Sequence, residues 1–351
     1  TGALAYIAYF SIVIASFAKA GAMPYHSWLP DVAEDAPGSV TAYLPASLDK
    51  LLGIYLLARA SLDLFVTTKA SNLVLLAVGA VTIIMAVVIA LVQHNYKRLL
   101  GYHAVSQVGY MIMGIGSATP IGIAGGLFHM LNHAVYKSCL FLTAGAVEKR
   151  TGTMDLDKLG ALAKFMPLTF LSCLVASLSI SGIPPFNGFV SKWMIYQGII
   201  GSAASGDRMW VIWLSAAMFG SALTIASFMK LLHAAFLGRA SDDMKDVREV
   251  GPLMYLPTLT LAAVCIIFGV FAFKFPLPLF IAPCIGAYPE YIGTLSSVMA
   301  TILIIAGIVT GLVIYWAIRP KNFRIVETFV GGEDPAKLPR VSGTEFYNTI
   351  R

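Results

Sequence analysis

The chain has 351 residues, 58% hydrophobic and 12% charged, with a net charge of +6. A soluble domain carries about a quarter charged residues, so composition excludes that class, and no stretch alternates like the strands of a membrane barrel. The surplus Lys and Arg cluster in short loops, as membrane topology requires, and do not point to nucleic acid.

Apolar segments suited to membrane-spanning helices are predicted near residues 4–34, 39–60, 71–93, 103–118, 122–147, 168–206, 209–237, 253–275 and 294–317. The expected fold class is therefore all-α, a polytopic transmembrane helix bundle. The first segment carries Lys19 and then Gly21, Pro24 and Pro30. It is too long for one straight span, and proline removes a helix hydrogen bond and clashes with the preceding turn, so a break is expected there. His26, just beyond that break, marks a possible point of proton uptake.

The second segment holds Asp49 and Lys50. Lys50 lies about 16 Å from the segment's start at 1.5 Å per residue, too deep to reach either surface easily. Asp49 offers a carboxylate to Lys50 or to a neighbouring helix. Adjacent residues diverge on a helix, so a direct pair with Lys50 is not expected.

His94, Lys97 and Arg98 read as orientation charges ahead of the fourth segment, which carries a polar stripe of His103, Gln107 and Tyr110. The fifth places His129, His133 and Lys137 at i, i+4 and i+8, on one helix face. A lone buried histidine reads as a core residue. Two histidines and a lysine in one stripe read as a relay passing protons through bridging water.

The sixth segment breaks at Gly182-Ile-Pro-Pro-Phe-Asn-Gly188, just before Lys192. The seventh ends with Lys230 and His233, where Lys230 is equally a snorkelling anchor and a proton exit group. An ionisable side chain near the bilayer centre costs roughly 2.5–3.5 kcal/mol on insertion scales. Lys19, Lys50, Lys137 and Lys192 are thus expected to line a proton path, a cost that a passive scaffold would not carry.

The two broken helices lie five segments apart. A five-helix unit repeated once inserts upside down the second time, so part of an inverted five-helix repeat is expected. Residues 1–60 form the last two helices of an incomplete first repeat and 71–237 the second repeat. Residues 253–317 add further helices, and 318–351 form a polar tail. Lys97, Arg98, Lys149, Arg150, Lys158, Lys164, Arg239, Lys245, Arg248, Arg319, Lys321 and Arg324 fall on one side of the membrane. That side is assigned to the cytoplasm of a cell membrane, which leaves the N-terminal residue outside and the tail inside. The chain opens on Thr1 and is expected to be the C-terminal part of a longer chain or the product of a split gene.

Cys139, Cys173, Cys265 and Cys284 form no CxxC and no Cys/His cluster at metal spacing. They read as small apolar fillers, and no cofactor is expected in this chain.

Four stretches carry a family resemblance: Lys19-Ala-Gly-Ala-Met-Pro-Tyr-His-Ser-Trp-Leu-Pro-Asp31, Lys97-Arg-Leu-Leu-Gly-Tyr-His-Ala-Val-Ser-Gln-Val-Gly-Tyr110, Phe128-His-Met-Leu-Asn-His-Ala-Val-Tyr-Lys137 and Gly182-Ile-Pro-Pro-Phe-Asn-Gly-Phe-Val-Ser-Lys192. In order and spacing, over roughly 4–275, they resemble the antiporter-like proton-translocating subunits of respiratory complex I. Multi-subunit Na+/H+ antiporters and energy-converting membrane-bound hydrogenases carry members of the same family. The resemblance implies that Lys19 is the lysine of the broken seventh helix and Lys50 the connecting lysine of the eighth. It makes His133 and Lys137 the central residues of the eleventh, and Lys192 the lysine of the broken twelfth, toward the outer half-channel.

The family's fifth helix carries a Glu that pairs with the seventh-helix lysine, and that helix is absent here. The carboxylate is expected from residues outside this sequence or from another chain, because Asp31, Glu34 and Asp35 lie in the loop beyond the break. The resemblance implies a proton- or Na+-translocating subunit of a redox-driven membrane complex. Its implied partners are other membrane subunits and, through them, a peripheral iron–sulfur redox arm. A Na+/H+ antiporter subunit without a redox partner remains the alternative.

Overall fold

A computed structural model describes residues 2–238, 247–286, 297–318 and 344. Helices make up the architecture, with one isolated bridge between Asn95 and Asp155. Helix α1 (Ala3–Ala20) stops at Gly21, whose φ of 78° is the left-handed conformation that glycine adopts without a steric penalty. After the turn the chain resumes as α2 (Trp28–Asp35), giving the interrupted first segment that the prolines predict.

Helices α3 (Gly38–Tyr43) and α4 (Asp49–Arg59) form one rod through a wider π turn at Leu44–Leu48. Pro45 within that turn has no N–H to give, and the Asp49 N–H bonds five residues back, to Leu44 O. This bulge sets the direction of the two residues that follow it, Asp49 and Lys50.

Helix α5 (Lys69–Leu91) begins at a reciprocal cap. The Ser71 N–H donates to the Thr68 hydroxyl and the Thr68 N–H to the Ser71 hydroxyl. Helix α6 (Tyr96–Gly116) starts seven residues before the predicted boundary at 103, because Asn95 Oδ1 caps the Arg98 N–H. Lys97 and Arg98, read as loop charges, therefore lie in its first turn. Lys97 Nζ binds Glu148 at 2.8 Å and the Ala36 carbonyl at 3.1 Å, and Arg98 binds Glu34 and Asp31.

Helix α7 (Pro120–Thr151) is 32 residues long, with proline at its first position. The short α8 (Leu162–Phe165) precedes α9 (Pro167–Ser181), which ends at Gly182 with φ 80°. The chain resumes as α10 (Asn187–Ser202), the second predicted break. Helix α11 (Trp210–Leu232) follows, then α12 (Pro252–Val270), α13 (Ala282–Ile285) and α14 (Ser297–Ile318). Arg239, Lys245, Arg319, Lys321, Arg324 and the tail beyond Ile318, Thr344 apart, lie outside the described residues.

Among the described residues six helical stretches are long and apolar enough to cross a membrane by themselves: α1, the α3–α4 rod, α5, α11, α12 and α14. Helices α6 and α7 are not among them, yet nearly every residue of α6 is buried. Their polar side chains are shielded from lipid by the apolar helices around them, where such groups are tolerated. Glycines let these inner helices meet backbone to backbone. A Cβ on Gly198 of α10 would fall 2.3 Å from the Gly122 Cα of α7. On α7 itself Phe128 belongs to one apolar cluster and Tyr136 to another, so His129, Asn132 and His133 occupy the stretch between the two.

Candidate functional site

Side chains take up backbone groups at both helix breaks, as a low-dielectric setting favours. At the first, the Met23 N–H donates to Thr82 Oγ1 of α5, and Trp28 Nε1 donates to the Ala18 carbonyl. At the second, Asn132 of α7 and Asn187 bind each other. Asn132 Nδ2 donates to the Asn187 carbonyl and Asn187 Nδ2 to Asn132 Oδ1, each at 3.0 Å, while Ser179 Oγ donates to Asn187 Oδ1.

Each break also stands beside a lysine. A Cβ on Gly21 would lie 3.6 Å from Lys50 Nζ, and one on Gly182 would lie 3.0 Å from Lys192 Cδ. Gly21 and Gly182 terminate half-helices, whose C-terminal ends carry partial negative charge. Lys50 comes from α4 and Lys192 from α10, so each ammonium meets the end of a different helix from its own.

Lys50, Lys137 and Lys192 are all buried, at 0%, 0% and 2% exposure. None of their Nζ atoms has a hydrogen-bond partner among the described residues. Aromatic rings face them instead. Lys50 Nζ lies 5.6 Å from the Trp28 ring centre, and Lys192 Nζ 4.6 Å from that of Tyr110. Lys137 Nζ is 5.6 Å from Phe141 and 5.9 Å from Phe228. Such contacts contribute about 0.5–2 kcal/mol to an ammonium, well short of its desolvation, so a charged state there also needs water.

His129 ties three helices together. Its Nδ1 is 2.9 Å from Ser191 Oγ of α10, and its Nε2 is 3.1 Å from Gln107 Oε1 of α6 and 3.3 Å from the Tyr136 hydroxyl. The Ser191 hydroxyl also reaches the Gly188 and Asn187 carbonyls, at 3.2 and 3.4 Å. It can therefore donate either to an unprotonated Nδ1 or to backbone while accepting from a protonated one, as a proton relay requires. His133 is buried, packs edge-on against Tyr136 with ring centres 5.5 Å apart, and neither of its ring nitrogens has a hydrogen-bond partner among the described residues.

Lys19 stands apart from the other three lysines. Half of its side chain is exposed, and its Nζ lies 2.5 Å from Asp49 Oδ1. The lysine of the first break thus has a carboxylate within this chain, supplied by α4. Asp49 was offered in the sequence to Lys50 or to a neighbouring helix, and here it serves the neighbouring helix.

Of the weaker candidates, His103 is buried with Nε2 2.8 Å from Ser227 Oγ. Lys230 is buried and donates to the carbonyls of Leu91 and Gln93 at 2.6 and 2.7 Å, closing the C-terminus of α5. His233 is exposed at the end of α11, and His26 lies half-buried in the turn after the first break. Neither joins the buried set.

The sequence reading quoted Asn132, Tyr136, Asn187 and Ser191 inside motifs without giving them roles. Their only signal was a run of polar side chains next to the lysine and histidine positions. Cys139, Cys173 and Cys265 are buried fillers, whereas Cys284 is exposed. Among the described residues no three His, Cys, Asp or Glu side chains group to hold a metal.

Over 274 residues the chain is 35% identical to hydrogenase-4 component B of Escherichia coli, covering 73% of this chain and 41% of that one. Over 279 residues it is 35% identical to Na+/H+ antiporter subunit A1 of Staphylococcus saprophyticus, covering 74% of this chain and 34% of that one. Among solved structures it superposes on a chain of the membrane-bound sulfane sulfur reductase, an archaeal respiratory membrane complex. The TM-score is 0.81 at 25% identity, with 97% of this chain and 59% of that one covered. The chain therefore spans between a third and three-fifths of the length of these relatives. Residues 2–224 match the family described as NADH:quinone oxidoreductase/Mrp antiporter, TM, and this multi-pass membrane chain belongs to that family.

Proposed function

We propose that this chain moves protons, or Na+ in exchange for them, within the membrane part of a multi-subunit complex. The observation that carries the reading is the set of three enclosed lysines, Lys50, Lys137 and Lys192, none with a hydrogen-bonded partner among the described residues. With His133 and the His129 hub they form a series from one helix break to the other. Ammonium groups so placed are retained at a cost that function, not packing, explains.

The path runs from Lys19–Asp49 through Lys50 to His133 and Lys137, with His129 and Ser191 leading to Lys192. The bundle is read as two repeats of opposite insertion, the first incomplete within residues 1–60 and the second at 71–237. Loop charge supports a cytoplasmic location for the side bearing Lys97 and Lys149. The partners we infer are other membrane subunits and, through them, an iron–sulfur redox arm. The alternative is an antiporter complex without a redox partner, and equal identity to a hydrogenase component and to an antiporter subunit supports both. Co-purification of iron–sulfur subunits from the native membrane separates them.

Lys192→Ala tests the path itself. Purified complex carrying it is expected to assemble as wild type and to lose transport in proteoliposomes, whether driven by an ion gradient or by an electron donor. Wild-type transport in that variant rules the path out.

A further inference from the structure

Helix α11 carries polar side chains that the path above does not use: Ser221, Thr224, Ser227 and Lys230, three residues apart, so that each is a surface neighbour of the next. Two of them, Ser221 and Ser227, reach α6. The hydroxyls of Ser221 and Tyr110 are 2.8 Å apart at one end, and Ser227 meets His103 at 2.8 Å further along. Lys230, one turn beyond Ser227, is fixed to the end of α5 at the surface that also bears Lys97 and Arg98. His103 lies seven residues inside the start of α6, about 10 Å deep at 1.5 Å per residue.

Two observations make this more than a packing seam. His103 is fully buried, and its Nδ1 has no hydrogen-bond partner among the described residues. A buried polar atom of that kind calls for water or a transient partner. Phe228, next to Ser227 on α11, is also fully buried, and its ring touches both His103, at 4.7 Å between ring centres, and Lys137, at 5.9 Å from Nζ. One apolar ring thus stands in contact with the inner end of a polar seam and with the central lysine.

We propose that the seam Lys230–Ser227–His103 is a side branch from the Lys97-bearing surface to Lys137, and that the Phe228 ring is its gate. The branch rests on the translocation reading above and extends it. With the ring in place, water on the His103 side is separated from Lys137 by an apolar constriction, which resists wetting. Rotation of the ring about χ1 joins the two sides: His103, having taken up a proton from water at Nδ1 to become an imidazolium, passes a proton through water to the neutral Lys137 amine and returns to the neutral imidazole. Ser227 positions His103 through Nε2, leaving Nδ1 to serve the water side.

The test uses the native complex carrying this chain, reconstituted in liposomes, with passive proton flux measured by an internal pH dye under an imposed potassium potential. Phe228→Ala is expected to raise passive flux severalfold, while Phe228→Leu, which keeps an apolar plug, leaves it at the wild-type level. Adding His103→Leu to Phe228→Ala is expected to return the flux to wild type. Wild-type flux in an assembled Phe228→Ala complex, or a leak that survives His103→Leu, overturns the gate. Should Phe228→Ala fail to assemble, Ser227→Ala is expected to slow driven transport severalfold, and unchanged transport in it overturns the branch. Lys192→Ala separates the two levels. If it leaves driven transport intact, translocation itself is refuted. If it abolishes transport while the Phe228 variants behave as wild type, only the branch is refuted.

Discussion

Lys19 reaches Asp49 across α1 and α4, whereas Lys50, one residue further along α4, faces a tryptophan ring. Adjacent side chains diverge on a helix, so one turn of α4 serves two lysines in different ways. The sequence displayed the Asp49–Lys50 pair and the divergence but not that Lys19 is the partner of Asp49, because α1 and α4 are joined only in three dimensions. Gly53 allows that approach, as a Cβ there would lie 2.6 Å from the Ala20 N. Replacing Asp49 with Asn is expected to lower transport at least about tenfold, equivalent to ~1.4 kcal/mol of barrier. It should shift thermal unfolding in detergent by less than about 1 kcal/mol, since half of the Lys19 side chain is exposed. Asp49→Glu should retain most of the transport. Wild-type rates in Asp49→Asn would reduce the pair to a structural contact.

The breaks were the most legible elements, because glycine and proline announce them locally. What each break touches was not legible. The Asn132–Asn187 clamp needs α7 and α10 in register, and neither asparagine carries a signal of its own. Helix α6 was misjudged at its start for the converse reason. Lys97 and Arg98 look like loop charges until Asn95 is seen to cap the Arg98 N–H, Glu148 to bind Lys97 and Glu34 to bind Arg98.

Gly182 and Gly152 give a matched test of the second break. Both have positive φ, so alanine at either costs about 1–2 kcal/mol of left-handed strain. A Cβ at Gly152 meets nothing within 4 Å, whereas one at Gly182 presses on Lys192. Both variants are expected to lose similar thermal stability, and only Gly182→Ala to lose transport. Equal transport in the two would mean that the Lys192 stem does not depend on the break.

Across the molecule, hydropathy does not track burial. Helix α14 is apolar enough to span a membrane and is exposed throughout, while α6 and α7 fall short in apolarity and fill the centre. Composition therefore revealed the class, but not which segments line the interior. The arrangement of loop charges leads to a topology prediction. In a Cys284→Ser background, Lys149→Cys is expected to react with a membrane-impermeant maleimide only from the cytoplasmic face. Lys69→Cys, at the opposite end of the bundle, should react only from outside. Labelling with the opposite sidedness would invert the bundle.

The rings over Lys50, Lys137 and Lys192 have one further consequence. A carboxylate counter-ion can itself pick up a proton and so fall silent, but a phenyl or indole face carries a permanent quadrupole that does not titrate. The rings' share of the field at these amines is therefore constant, and what varies is the protonation of the neighbouring amines and imidazoles and, beside Lys50, of Asp49. In a file of sites arranged this way, like-charge repulsion between adjacent members is the available signal. A charge arriving at one end would be felt at the other as a succession of evictions, with no large backbone movement required to pass the message.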